Sequence, residues 1–189
     1  MPRLDNLNKS TGNQKINDEQ YTPKILVKPI LKYAKKFETV WCPFDKENSE
    51  FVLGLRKVGC KVIHSHIEDG KDFFDYTPRR KFDAIVSNPP YSRKLEVLER
   101  LYELEVPFAL VLGLPILNYT NIGNFFYEKG SDLQLLIVDK KVSFNGNTSS
   151  FNSSYFCRNF LPQQIIFAHL KHNNVGKNFK PSRMGLSGD

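Results

Sequence analysis

The run Phe82-Asp83-Ala84-Ile85-Val86-Ser87-Asn88-Pro89-Pro90-Tyr91 decides how this chain is read. Residues 82–87 form an apolar run of strand length. Asn-Pro-Pro then ends it, because two successive prolines can neither continue a ladder nor start in mid-helix. The run predicts a buried strand that stops at a rigid polar shelf. Working outward, short apolar runs at 39–44, 61–67, 108–114, 133–138, 142–144 and 164–169 read as further strands. Between several of them apolar residues recur at helical spacing. One helix starts at Thr22, read as its N-cap, with Pro23 in the first helical position and Leu26, Ile30, Tyr33 and Phe37 on one face. A second covers 48–58, with Phe51, Leu55 and Val58 inward and Gly59 as its stop. A third, capped by Ser92, carries Leu95, Leu98 and Leu101, and a fourth covers 124–129 and closes at Gly130. This alternation predicts an α/β fold: a mostly parallel, twisted sheet of about seven strands with helices on both faces. Ligands of such sheets sit at the carboxyl ends of the strands, which is where Asn88 to Tyr91 falls.

The chain has 189 residues, enough for one domain with a core of its own. With 15 Phe, 8 Tyr and 1 Trp it is not disordered throughout. The longest greasy stretch, 107–117, is too short to cross a bilayer and is broken by Pro115. The first residues are polar and lack the apolar core of a signal peptide, so an intracellular (cytoplasmic) protein without a membrane partner is expected. Residues 1–19 read as a flexible arm, 20–171 as the folded domain and 172–189 as a flexible tail. Cys42, Cys60 and Cys157 form no close-spaced pair, which argues against a disulfide framework or a cysteine zinc site. His64 and His66 share a strand face at period two but have no evident third ligand, so no metal is expected. The net charge of +7 fits a polyanionic partner such as nucleic acid.

The shelf has chemistry of its own. Two prolines hold the backbone, so the Asn88 side chain and the neighbouring carbonyls are fixed in place. The Asn88 oxygen and the Pro89 carbonyl can accept both hydrogens of one amino group. An amine conjugated to a ring is a poor nucleophile, and accepting both its hydrogens localises and aims the lone pair. Tyr91 offers a flat face for stacking. The competing reading is an Asn-capped turn with a buried tyrosine.

Asn88-Pro89-Pro90-Tyr91 resembles the catalytic motif of amino-group methyltransferases that use S-adenosylmethionine, whose best-known members methylate the N6 amine of adenine in DNA. The resemblance covers 21–170 and is strongest to small phage-encoded adenine methyltransferases. It implies a Rossmann-like methyltransferase fold. It implies that Asn88 and the Pro89 carbonyl hold the target amine, with Asn88 also beside the cofactor, and that Tyr91 stacks on an extruded base. Val40-Trp41-Cys42-Pro43-Phe44-Asp45 is similar to the family's Pro-Phe cofactor segment, which implies cofactor contacts from Trp41, Cys42, Pro43, Phe44 and Asp45, with Asp45 facing the methionine ammonium. The pattern departs at one point: Lys46, Glu47 and Asn48 stand where the family has glycines. His66, with Glu68 just beyond, occupies the place of the carboxylate that holds the cofactor ribose. Asp72-Phe73-Phe74 resembles the segment that holds the cofactor adenine, Asp72 accepting from its amine and Phe73 packing on the ring. Tyr21-Thr22-Pro23 looks like the family's Thr-Pro motif, though it also reads as an ordinary helix start.

Arg93 and Lys94 lie just past the shelf and are placed to meet phosphates. Arg79, Arg80 and Lys81 lie before the strand, on the opposite edge. The stretch 144–161 reads as a long polar loop whose interleaved aromatics, Phe151 and Tyr155, are candidates to grip a flipped base. The reading is therefore an adenine-N6 DNA methyltransferase. Its rivals are the same transfer to RNA or to a protein glutamine amide, and a degenerate module that binds nucleic acid without catalysis.

Overall fold

The computed structural model describes residues 22–130, 132–144, 147–148 and 152–170. Tyr21, Phe151 and the terminal segments 1–19 and 172–189 lie outside the described residues. The chain runs α1 (Lys24–Ala34), β1 (Thr39–Cys42), α2 (Glu50–Lys57), β2 (Lys61–His64), β3 (Ala84–Ser87), α3 (Lys94–Glu103), β4 (Phe108–Gly113), α4 (Thr120–Glu128), β5 (Gln134–Val138), β6 (Ser143–Phe144), β7 (Asn147–Thr148), β8 (Ser153–Arg158) and β9 (Ile165–Ala168). A seven-stranded sheet has the order β2-β1-β3-β4-β8-β5-β9. Strand β8 is antiparallel to both its neighbours and every other pairing is parallel. Among the described residues, strands β6 and β7 pair only with each other.

The period-two pattern of the strands sorts the core into two layers. Val40, Cys42, Ala84, Val86, Ala109, Val111, Tyr155 and Cys157 join one cluster with α1 and α2. Trp41, Ile85, Phe108, Leu110, Leu112 and Phe156 join the other with α3 and α4. Both faces of β1, β3 and β4 are buried, which is why these strands read as continuous apolar runs. Helices α1 and α2 approach closely at Gly54, where an added Cβ would lie 3.2 Å from Val27 and from Leu31. From β1 the chain steps to β2 on one side, then crosses back to β3 on the other. The sheet order therefore reverses at β1, and a crevice opens beyond the carboxyl ends of β1 and β3.

The structure departs from the sequence reading in several places. First, 153–158 is not loop but β8, a central strand. Its serine-rich start hid it: Ser153 and Ser154 are wholly buried opposite Gly113 and Leu112. Second, 142–144 contributes to a small hairpin rather than to the sheet. Third, Pro23, with extended φ −72° and ψ 146°, precedes α1, so the helix starts one residue later than expected. Fourth, Ser92 does not cap α3. The extended prolines deliver the chain into a 3₁₀ turn, Tyr91–Arg93, and α3 begins at Lys94. The strands at 39–44, 61–67 and 82–87 are shorter than expected, and α4 begins earlier.

Placing Tyr155 in β8 removes it from the set of base-gripping candidates. Its ring is wholly buried near Phe51, with centroids 6.4 Å apart, and its hydroxyl donates to the Leu26 carbonyl of α1 at 2.8 Å. It pins α1 to the middle of the sheet. Tyr155→Phe should therefore destabilise the fold by about 0.5–1.5 kcal/mol, the usual net worth of one such bond. Urea denaturation measures this, and ligand binding by the folded variant should match that of the parent.

Candidate active site

The β1–β2 ladder continues past the strand ends and fixes the turn after β1. The Ser65 amide donates to the Cys42 carbonyl at 3.1 Å, and the Asp45 amide donates to the Ser65 carbonyl at 3.2 Å. Trp41 Nε1 donates to Ser65 Oγ at 3.0 Å. No residue from 43 to 49 has a positive φ. The turn thus needs none of the conformational freedom that glycine supplies, and Lys46, Glu47 and Asn48 fit it without strain. Ser49 then caps α2, its Oγ accepting from the Val52 amide at 3.3 Å.

Asp45 is buried at the end of this turn. The Ser87 hydroxyl donates to its Oδ2, which ties the β1 turn to the last residue of β3. Ser49 gives a second side-chain bond. Burial nonetheless dominates and pushes the carboxyl up to about 6, against the pull of the two serines and of nearby His64.

Beyond Ser87, each residue that precedes a proline is driven to extended backbone. Pro90 has φ −62° and ψ 124°. Asn88 and Pro90 line a pocket at the mouth of the crevice, while Pro89 is buried beneath them. Tyr91 is partly buried against the α3–α4 layer and does not line this pocket. Lys94 Nζ donates to the Tyr91 carbonyl at 3.2 Å.

The pocket has a volume of about 280 Å³, near the lower end for small-molecule sites. One end is polar, with Asp45, Lys46, Ser49 and His66. The other is aromatic, with Phe44, Phe73 and Phe74. Phe73 is anchored in the core against Trp41 (5.5 Å) and Phe44 (4.9 Å). The Arg93 guanidinium stacks 3.5 Å from the Phe74 centroid and is held by Glu96. Asp72 Oδ1 accepts the Phe74 amide at 3.1 Å, so the carboxylate shapes its own turn as well as lining the pocket. Arg100 of α3 donates to Tyr76 O and Thr77 Oγ1, which fastens that wall to the helix. His66 Nδ1 accepts the Glu68 amide at 3.3 Å, so a neutral ring carries its proton on Nε2.

Of the residues singled out from sequence, Pro43, Phe44, Asp45, His66, Asp72, Phe73, Asn88, Pro90 and Arg93 come together around this one pocket. Others do not line it. Trp41 and Cys42 are wholly buried behind the turn, with burial pushing the Cys42 thiol up. Thr22 and Pro23 sit at the start of α1. Glu68 lies outside, paired with Lys46 at 2.7 Å. Lys46, Ser49, Ile67, Phe74 and Ser92 also line the pocket and were missed. Phe74 was the most legible of these, as the neighbour of Phe73 in the same segment. Among the described residues no three His, Cys, Asp or Glu side chains form a metal-binding group, and no helix is long and apolar enough to cross a membrane.

This architecture superposes on a methyltransferase subunit of a type I restriction-modification system from Streptococcus thermophilus, with TM-score 0.51 and 14% identity, over 84% of this chain and 49% of that one. The fold is the Rossmann-like methyltransferase fold. The chain spans about half the length of that subunit. It is also similar to a putative class I S-adenosylmethionine-dependent methyltransferase from Listeria monocytogenes, with TM-score 0.47 and 10% identity, over 84% and 68% of the two chains. A release-factor-specific protein-(glutamine-N5) methyltransferase from Alicyclobacillus acidocaldarius gives TM-score 0.36 and 17% identity, over 71% and 90%. No protein-family model and no curated protein matches the sequence.

The raised pKa of Asp45 has a consequence for stability. The folded carboxyl keeps its proton up to about 6, whereas its ordinary value is 3.8. Between these limits the folded state binds more protons than the unfolded one, so stability falls as pH rises from about 4 to about 6. The fall is on the order of 2–3 kcal/mol for this group. Asp45→Asn should flatten that part of the profile, as urea titrations at stepped pH would record.

Proposed function

We propose that this chain binds S-adenosylmethionine in the pocket at the ends of β1, β2 and β3 and methylates an exocyclic amine, the N6 amine of adenine in DNA. The observation that carries the reading is the convergence of the Asn88-Pro89-Pro90 shelf with a pocket that has a carboxyl at one end and aromatic walls at the other. The residues fit the cofactor in kind. Asp45 faces a positive ammonium, Phe44, Phe73 and Phe74 match a flat heterocycle, Asp72 accepts from an amine, and the Nε2–H of His66 can donate to a ribose hydroxyl. When bound, the cofactor supplies an electrophilic methyl group.

The remaining chemistry belongs to the chain. Asn88 and the Pro89 carbonyl accept the two hydrogens of the target amine and aim its lone pair. Tyr91, next along the shelf, gives a face on which an unpaired or flipped base stacks. The work is positioning and exclusion of water, without a covalent enzyme intermediate. The DNA substrate rests on the resemblance of Asn88-Pro89-Pro90-Tyr91 to the adenine-N6 enzymes. Transfer of labelled methyl groups to DNA, RNA and release-factor protein, assayed side by side, tests it. Label in RNA or protein but not in DNA would replace the substrate and keep the chemistry, and the absence of cofactor binding would overturn both.

Asn88→Ala should lower turnover by about 10²–10³, the effect of deleting one positioned polar group, and should leave cofactor affinity nearly unchanged. Tyr91→Phe keeps the stacking face and most of the activity, while Tyr91→Ala loses about 1–3 kcal/mol of base stacking. Single-turnover rates on an adenine oligonucleotide check both. If the Phe variant were as damaged as the Ala variant, the hydroxyl and not the ring would be the working group.

A further inference from the structure

Among the described residues the sheet ends in two unlike edges. Strand β2 closes one edge with Lys61 at its start and His64 at its end, each bound to a glutamate. Strand β9 closes the other with Ile165-Ile166-Phe167-Ala168 and no charge. Ile166 and Ala168 pack on the α1 side of the core. Ile165, opposite Leu135, and Phe167 lie on the α4 side and are 52% and 78% exposed. Between Ile165 and α4 is a depression of about 320 Å³, lined by Phe126, Tyr127, Leu133 and Leu135, with Tyr127 85% exposed. Tyr127, Ile165 and Phe167 are half of the large apolar side chains exposed among the described residues, so the exposure is clustered and not scattered. The backbone is open here as well. The Gln164 and Ala168 carbonyls accept from the Leu135 and Asp139 amides at 2.7 and 3.1 Å. By the alternation of a strand, the N–H and C=O groups of Ile165 and Phe167 point away from β5, where no described strand meets them.

We infer that, whatever the pocket binds, β9 pairs antiparallel with β9 of a second copy of this chain, about a two-fold axis at Ile166. In that register Ile165 of one copy stands opposite Phe167 of the other. Both have outward backbone groups, so they exchange two hydrogen bonds, as an antiparallel ladder requires. Opposed residues point to the same face, so each Phe167 ring lies beside the other copy's Ile165, at the depression that Ile165 lines. The strand carries a protruding ring and a hollow two residues apart, which is the self-complementarity an isologous contact needs. Charge permits the approach. The chain carries +7 overall, yet the register sets Gln163 opposite His169 and Gln164 opposite Ala168, and His169 is already paired with Asp139. No like charges face each other. Tyr127 and Phe167 each present roughly 150–200 Å² of ring surface. With Ile165, the two glutamines and the strand edge, two copies together bury roughly the 1,000 Å² that a specific interface needs. The chain's own segment 171–189 suits this edge less well, because it brings Lys171, Lys177, Lys180 and Arg183 to an uncharged strand. The axis stands perpendicular to the sheet, so the carboxyl edges of the two copies, and with them the two pockets, open in opposite directions.

Sedimentation of the full chain, with hydrogen exchange read at the Ile165 and Phe167 amides, tests this. The parent should be a dimer at about 50 μM chain, with both amides protected. Phe167→Lys changes an exposed side chain, so it should keep the folded circular-dichroism spectrum while weakening association by roughly thirtyfold or more. A second measurement reads the register. Under oxidation, an Ile165→Cys chain mixed with a Phe167→Cys chain should form a disulfide, because opposed residues that exchange hydrogen bonds lie about 5.5 Å apart at Cα. Either chain alone should not, and the native Cys42, Cys60 and Cys157 are buried and do not compete. A monomeric parent overturns the inference: with both amides protected the edge belongs to a segment of the same chain, and with both open it is bare. A dimer unchanged by Phe167→Lys, or cross-linking by either cysteine chain alone as readily as by the mixture, overturns it too.

Discussion

One buried hydrogen bond, from the Ser87 hydroxyl to the Asp45 carboxyl, joins the two loops from which the site is built. The β1–β3 ladder pairs Val40 with Ala84 and Trp41 with Ile85, after which the two chains leave the sheet on separate courses. One becomes the turn that leads to α2 and the other the proline shelf that leads to α3. The Asp45–Ser87 bond spans that divergence and sets the distance between the polar end of the pocket and Asn88. A carboxyl in this position is costly to ionise, as its upward shift records. In the proposed function this carboxyl meets the ligand's ammonium, and a cation there would offset part of that cost.

The aromatic end is built differently. Its walls are the outer faces of rings whose inner faces belong to the hydrophobic core, through Trp41, Phe73 and Phe82. A wall of this kind cannot collapse into the empty space without opening a cavity in the core, so the pocket is formed before a ligand arrives. Trp41 links the two ends: its indole packs on Phe73, and its Nε1–H holds Ser65, which in turn holds the Asp45 amide. Binding and folding share these residues, so a ligand for this pocket also stabilises the fold.

Most of this arrangement was legible in the sequence because it follows from short-range chemistry. Asn-Pro-Pro can only end a strand, and a Pro-Phe-Asp turn after another strand falls at the same edge once the strands are parallel. What could not be read was long-range. Strand β8 begins Ser153-Ser154, and only its insertion between β4 and β5 explains why two buried serines belong in a sheet. Seven strands were expected and seven form the sheet, but 142–144, whose residues 143–144 pair with 147–148, was counted in place of β8. Lys46 and Ser92 were passed over for a similar reason, since a pocket-lining role for a lysine or a serine depends on which residues the fold sets opposite. The turn after β1 was the reverse case. The lack of glycine looked like a departure from the family, yet the backbone from 43 to 49 never enters the region that glycine alone favours.

The two cations just past the shelf, expected to meet phosphates, are each engaged within the chain. Arg93 donates to Glu96 through Nε and Nη2, at 3.0 and 2.5 Å, while its plane covers Phe74. Lys94 holds the Tyr91 carbonyl and lies 5.3 Å from the Tyr119 centroid. Each cation is thus engaged in shaping the wall or the exit of the shelf, and a planar guanidinium suits the first task as a lysine would not. Arg79, Arg80 and Lys81 are exposed, but they precede β3 and so lie at the opposite edge of the sheet from the pocket. The excess positive charge would, in the proposed reaction, attract a polyanion at long range, screened by salt, and the shelf would make the contacts that tell one substrate from another. In the proposed reaction the protein recognises an amine held between a side-chain oxygen and a proline carbonyl, and the phosphates serve mainly to bring it there.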